Sequence, residues 1–315
     1  MTDLFSIRHA EQRAISSADQ VELRAIAAGS AVPDAGVVDE TISGELEDLE
    51  VAAGPMEPWQ GQDIRLDDEV GSVRQELLRR VQFMGSRYPF ELDGGQLAYR
   101  PSVTGFYEYC LGIANTPNRI TATPFNKLPR SFERIACIIL QKHMGPRWES
   151  LHTGWPRDTG QPRRLDAMLK NVSKQSSDER EWQWRPEEGY PPEYARGGDA
   201  GLDFVVWRRS PDSRLGQVFV AGQCACGNDW DSKFNDLRVE KLEAWMRPFT
   251  YVPIIRCFTT PFLLSPGNFL VAHKLAGWVL DRMRLTIMAE EASDEADFAA
   301  HIPTLKEMFA LSAAA

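Results

Sequence analysis

Long apolar runs are missing from this chain. No stretch approaches the roughly 20 consecutive apolar residues that a membrane-spanning helix needs. The opening MTDLFSIRHAEQRA has neither the basic segment nor the apolar block of a secretory signal, so no membrane association and a cytoplasmic location are expected. Cysteine is sparse: five in 315 residues, an odd number that suits reduced thiols better than a disulfide framework. Cys224 and Cys226 form only a C-x-C pair, with Cys257 far downstream, and the five histidines (9, 143, 152, 273 and 301) form no H-x₃₋₅-H pair. Zinc asks for four ligands, usually from wider pairs, so buried thiols are expected rather than a zinc site. No G-x-x-x-x-G-K followed by Ser or Thr is present, which argues against a P-loop ATPase. No G-x-S-x-G is present either, which removes the commonest hydrolase elbow.

What is there is an ordinary globular composition, 43% hydrophobic and 25% charged. The formal net charge is −10, from 35 Lys and Arg against 45 Asp and Glu. Its distribution is uneven. Residues 1–70 hold 16 acids and four bases, and residues 290–315 hold six acids and one base, Lys306. The body between them, 71–289, carries a net +7. A mildly basic body can still meet a polyanion, because the local field matters more than the total. The acidic N-terminal segment, residues 1–62, reads as a regulatory or docking arm that contacts a basic partner or occupies the basic body in place of a polyanion until displaced.

Along the chain, 3–29 reads as a helix, 29–62 as a mostly irregular acidic connector, and 67–85 as a helix with acids at its N-terminus. Asp93-Gly94-Gly95 marks a hairpin, followed by a helix over about 102–115. SFERIACIILQKHMG is a strong helix with Phe132, Ile135, Ile138 and Ile139 as its buried stripe, capped by Ser131 and stopped by Gly145-Pro146. After a short helix at about 163–173, LDFVVWRR, SPDSRLG and QVFVAGQCA read as strand, turn and strand, an antiparallel hairpin. A helix from Asn228 to about Met246 is expected next, then a strand in FTYVPIIRCFTT and one helix over VAHKLAGWVLDRMRLTIMAE. A short acidic helical tail closes the chain. The proposed division is 1–64, 65–124, a core at 125–289 and the tail at 290–315.

The segment that carries chemistry begins at Gly198-Asp199-Ala200-Gly201-Leu202-Asp203. Asp203 opens one strand, and Gln223 falls near the end of its hairpin partner. A carboxylate and a carbonyl oxygen on adjacent strand ends are hard ligands suited to Mg²⁺. A helix packed on that sheet brings Glu133 to the same place.

The order helix-Glu, GD-x-G-x-D, turn, then a strand ending in Q-x-K, here Gln223-Cys224-Ala225, resembles the PD-(D/E)XK nuclease superfamily, above all its Mrr-type restriction endonucleases. GQCACGNDWDSK is similar to uncharacterised bacterial members associated with anti-phage defence. The resemblance spans about 125–250. It implies an α/β fold, a restriction-endonuclease-like mixed sheet flanked by helices, with a helical N-terminal region added. It implies a metal-dependent DNA endonuclease using Mg²⁺ or Mn²⁺, with Asp203 as principal ligand and Glu133 and Gln223 as supporting ligands. DNA is the implied partner, along with a helicase, an ATPase or another defence-system subunit, and a homo-oligomer is compatible with it. One position departs: Ala225 stands where the family has a lysine that orients the attacking water. Lys233 is the natural replacement.

Each residue also has a plainer reading. Asp203 could cap strand-start amides, Asp199 could serve only a turn, and Glu133 could be an ordinary exposed helix residue. Gln223 shares a face with Phe219 and Ala221 and could be a buried, hydrogen-bonded glutamine. Lys233 could be a solvated lysine. Arg282 and Arg284 could line a phosphate groove or simply be paired on a helix face. The tryptophans are mostly core, with base stacking open to one in the 182–184 loop. Loss of the motif lysine leaves a second reading: a nuclease-derived scaffold that binds DNA or a motor partner without cutting.

Overall fold

The helix that carries Glu133 earns its burial from sequence periodicity. Lys127–Met144 is one continuous helix, and Phe132, Ile135, Ala136, Ile139 and Leu140 all lie buried along one side. It starts four residues before Ser131, which therefore caps nothing. Pro129 is tolerated because it stands in the first turn, where amide donors have no intrahelical partner. The structure is a computed structural model and describes residues 4–34, 36, 58–116, 118–177, 180–186, 188–189, 200–212, 214–247 and 252–313. The connector at 37–57 and the Gly197-Gly198-Asp199 segment lie outside these residues.

In chain order the helices are α1 (Leu4–Ala28), α2 (Pro58–Met84), α3 (Phe106–Asn115), α4 (Lys127–Met144), α5 (Leu165–Ser177), α6 (Val239–Trp245), α7 (Pro266–Ala276), α8 (Arg282–Glu291), α9 (Ala296–Ala299) and α10 (Ile302–Ala313). The strands are β1 (Ser30–Ala31), β2 (Phe90–Asp93), β3 (Gln96–Tyr99), β4 (Trp148–His152), β5 (Gln183–Trp184), β6 (Phe204–Arg208), β7 (Val218–Cys224), β8 (Met246–Arg247), β9 (Ile254–Thr259) and β10 (Trp278–Leu280). The central sheet has five strands in the order β10-β9-β7-β6-β4. β4, β6 and β7 are antiparallel neighbours, whereas β7, β9 and β10 run parallel. The fold is thus mixed α/β.

Alternation along the strands sorts side chains onto two faces. Phe204, Val206 and Val220 meet α4 in one cluster, joined by Leu285 of α8 and Leu305 and Met308 of α10. Val205, Trp207, Phe219 and Ala221 meet α5 and α6 on the other face. Gly222 belongs to the α4 side: a Cβ there would stand 2.0 Å from Phe204 Cζ, so only glycine admits the ring. A separate cluster packs α1 against α2 and the β2–β3 hairpin, and α3 bridges the two cores through Tyr107 and Leu111 on one side and Phe106 and Ile113 on the other.

The expected hairpin at Asp93-Gly94-Gly95 is present, with both glycines at positive φ (55° and 88°). Two expected helices are not continuous. The 228–246 segment holds a 3₁₀ turn at Trp230–Lys233 and resumes as α6 only at Val239. Trp230 and Phe234 are drawn into an aromatic cluster with Phe258 and Phe262, and the chain turns back against Gly201. The 271–290 helix is cut by Gly277, whose φ of 92° ends α7 and whose missing Cβ lets Arg256 O approach. Trp278–Leu280 then adds the parallel edge strand, and Asp281 caps α8 by accepting from Arg284 N.

The N-terminal segment is not a detachable arm as far as α1 is concerned. Ile15, Ala18, Val21 and Ala25 are buried. Asp19 lies between two fully buried arginines, 2.7 Å from Arg80 and 2.8 Å from Arg282. Burial opposes ionisation of Asp19, but the two guanidiniums hold its carboxyl below the usual range. Removing α1 would leave the buried Arg282 without its Asp19 partner and Arg80 with Glu76 in place of three carboxylates.

Candidate active site

Asp203 is the residue before β6 begins. Its N–H donates to Gly222 O at 2.9 Å, and its carbonyl accepts from Thr153 N and Gly154 N at 2.7 and 2.8 Å. Its Oδ2 accepts from Cys224 N at 2.6 Å. These bonds pin a buried carboxylate at the seam where β4, β6 and β7 end.

Glu133 reaches the same seam from α4. Its side chain is 16% exposed, and its Oε2 lies 3.2 Å from His152 Nε2. His152 closes β4 and stands opposite Phe204 in the ladder. Gly154 marks where the three meet. A Cβ built on it would stand 2.6 Å from Glu133 Oε2, 3.1 Å from Asp203 Oδ1 and 3.1 Å from His152 Nε2. The absence of a side chain at 154 leaves a cradle that two carboxylates and an imidazole nitrogen surround.

That donor set fits the cation that sequence reasoning names. Mg²⁺ uses one or two carboxylates and keeps several waters, so Asp203 and Glu133 are the residues that would hold it, and Mn²⁺ accepts the same oxygens. Among the described residues no three His, Cys, Asp or Glu side chains form a closed metal cluster, which a largely hydrated ion does not require.

His152 is a residue that sequence reasoning missed, because it belongs to no motif and stands nineteen residues from Glu133. Burial, aided by the Arg134 charge, lowers its pKa to about 4, with Asp158 opposing. Asp158 Oδ2 stands 3.3 Å from His152 Nδ1. The ring is neutral at ordinary pH. Arg134 anchors this side of the seam by donating to Asp158 Oδ1 (2.6 Å) and to Pro156 O (3.0 Å).

Gln223 does not join Glu133 and His152. Its side chain turns to the face of Phe219 and Ala221, where Oε1 accepts from Leu237 N at 3.3 Å. The neighbouring positions on the α4 face are Cys224 and Cys226 instead. Both thiols are pushed up by burial and by the Asp203 and Glu133 charges, so both stay protonated. Ala225 faces an apolar cluster with Phe258 and Phe262.

Lys233 lies at the end of the 3₁₀ turn, ion-paired with Asp229 at 3.4 Å. Its charge nonetheless acts on the Cys226 thiol, lowering it where Glu133 and Asp203 raise it.

Arg282 cannot line a groove. It is fully buried, donating to both Asp19 oxygens at 2.9 and 2.8 Å and to Pro261 O at 2.9 Å. Arg284 is exposed, donates to Val279 O and lies 4.6 Å over the Phe269 ring. Trp182, expected as a stacking candidate, is 5% exposed and packed against Phe219, while Trp184 is half-buried beneath Lys170. No family model matches the chain, and no curated protein or solved structure matches it significantly.

Proposed function

We propose that the chain is a metal-dependent endonuclease that hydrolyses DNA phosphodiester bonds, with Asp203 and Glu133 holding Mg²⁺ or Mn²⁺. The observation that carries this reading is the convergence of Glu133 Oε2 and Asp203 Oδ1 on the cradle at Gly154. Support comes from the frame around it: a helix bearing one acid, an antiparallel three-strand run bearing the other, and a parallel strand after an intervening helix. When bound, the cation supplies Lewis-acid polarisation of the phosphate and a more acidic water. The chain's own part is to hold Asp203 rigid through the Cys224 amide and to orient Glu133 beside a neutral His152; Lys233, the replacement for the motif lysine, is ion-paired with Asp229. Anti-phage defence, and a helicase or ATPase subunit or a second copy as partner, follow from the family resemblance.

A second reading has its own observations. Gln223 faces away, Ala225 is apolar and Lys233 is paired with Asp229, which favours a nuclease-derived scaffold that binds DNA or a motor partner without cutting. Supercoiled plasmid incubated with Mg²⁺, Mn²⁺ or chelator separates the two. Cleavage by the wild type, reduced more than about 100-fold in Asp203→Ala, supports the enzyme. Unchanged cleavage by Asp203→Ala overturns it. Plasmid binding without cleavage, with or without a candidate motor subunit, supports the scaffold.

A further inference from the structure

The residue after Gly154 is Trp155, and it is 55% exposed. Among the tryptophans whose side chains are described it is the one left so open; Trp148, Trp182, Trp184, Trp207, Trp230, Trp245 and Trp278 are buried or half-buried. An indole held in water costs apolar hydration unless something covers it. Here it stands one residue from the glycine that the two carboxylates surround.

Its surroundings carry the opposite charge to the cradle. The Arg157 guanidinium lies 5.7 Å over the Trp155 ring. Arg157 also donates to Arg163 O, tying the two ends of the loop together. Arg163 and Arg164 are exposed, as is Arg130 on α4. From 153 to 164 the sequence holds three arginines against Asp158 alone. The loop is fastened to α4 through Arg134 and Pro156 O, so the ring is carried by the same helix that carries Glu133.

We propose that Trp155 is a stacking platform for an unpaired DNA base, and that the strand delivered to Glu133 and Asp203 is single-stranded. This deepens the endonuclease reading and rests on it. A flat aromatic face bordered by guanidiniums is how proteins hold single strands: the ring stacks on a base and the cations follow the phosphates. Intact duplex offers no free base face, because its bases are already stacked. The basic loop would meet either form, and the indole discriminates between them.

The test uses the full chain in chelator, where no metal-dependent cleavage can occur, at one fixed salt concentration. Fluorescence anisotropy measures binding of a labelled 20-nucleotide strand and of the same sequence as duplex. Trp155→Ala is expected to weaken single-strand binding roughly tenfold or more and to leave duplex binding unchanged. Trp155→Phe should recover most of the loss. Thermal melting of Trp155→Ala should match wild type, since the side chain is exposed. Equal single-strand binding by Trp155→Ala and wild type overturns the proposal. So does an equal loss on both forms, or no single-strand binding by wild type. An RNA strand bound more tightly than DNA of the same sequence overturns DNA as the partner. Because binding is read without turnover, Trp155-dependent binding in a protein that cleaves neither plasmid nor the single strand with Mg²⁺ or Mn²⁺ would refute the endonuclease reading and leave the platform standing.

Discussion

Gly154→Ala tests the candidate site with the smallest possible addition. The new methyl would stand 2.6 Å from Glu133 Oε2, closer than a carbon and an oxygen can approach without one moving. Asp203 is held by the Cys224 amide and by three backbone bonds, so it resists displacement. Glu133 reaches the seam through the tip of a flexible side chain, beside His152, and should yield. A carboxylate displaced by part of an ångström no longer shares a cation with Asp203, and misplacement of about 1 Å costs on the order of 100-fold in rate. Folding should change little, because Gly154 has no left-handed φ to lose and a side-chain tip absorbs the contact. The expected stability cost is below about 1 kcal/mol. Plasmid cleavage over a Mn²⁺ titration reads the first effect, and urea unfolding reads the second. Wild-type cleavage with unchanged Mn²⁺ dependence would refute the role of the cradle. A stability loss of several kcal/mol would refute the reasoning that Glu133 is the part that moves.

Arg282→Ala leaves Asp19 buried with one of its two guanidiniums gone, and should cost about 3–5 kcal/mol in urea unfolding; a change under 1 kcal/mol would mean that the network relaxes or hydrates. His152 is held neutral by burial, so its folded pKa, about 4, is below its ordinary 6.5. The unfolded chain takes up this proton first, so the contribution is fully present above pH 6.5 and lost as pH falls towards 4. It amounts to at most about 3 kcal/mol. His152→Gln should flatten that part of the stability–pH curve, and an unchanged acid limb would show that the ring titrates normally.

Parts of this arrangement were legible in the residues. Hydrophobic spacing marked α4 through Phe132, Ile135, Ile138 and Ile139, of which Ile138 is half-buried and the other three are buried. Period-two runs separated by turn residues marked the β6–β7 hairpin. Other parts defeated the same logic. Apolar residues from Val271 to Leu285 fit a helical stripe, yet three of them form a buried edge strand, where a short apolar run has no period that separates strand from helix. The resemblance reads Gln223 as a supporting ligand, and its Oε1 accepts from Leu237 N. A strand shows alternate residues to opposite sides, and one position decides between Gln223 on the α5–α6 side and Cys224 on the α4 side. Arg282 read as surface because an arginine among polar residues usually is; only the arrival of Asp19 from the far end of the chain makes its burial affordable.

The sequence by itself marked the Glu133 helix and the β6–β7 hairpin, through helical period and strand alternation, and offered Glu133 and Asp203 as candidate acids through the motif resemblance. The tertiary structure alone decided which groups meet. It placed His152 and Gly154 beside the acids, sent Gln223 to the other face, sank Arg282 into the core and left Trp155 open to water. Each of these depends on segments distant in the chain coming into register, and register is set by how whole faces pack rather than by any residue's own neighbours.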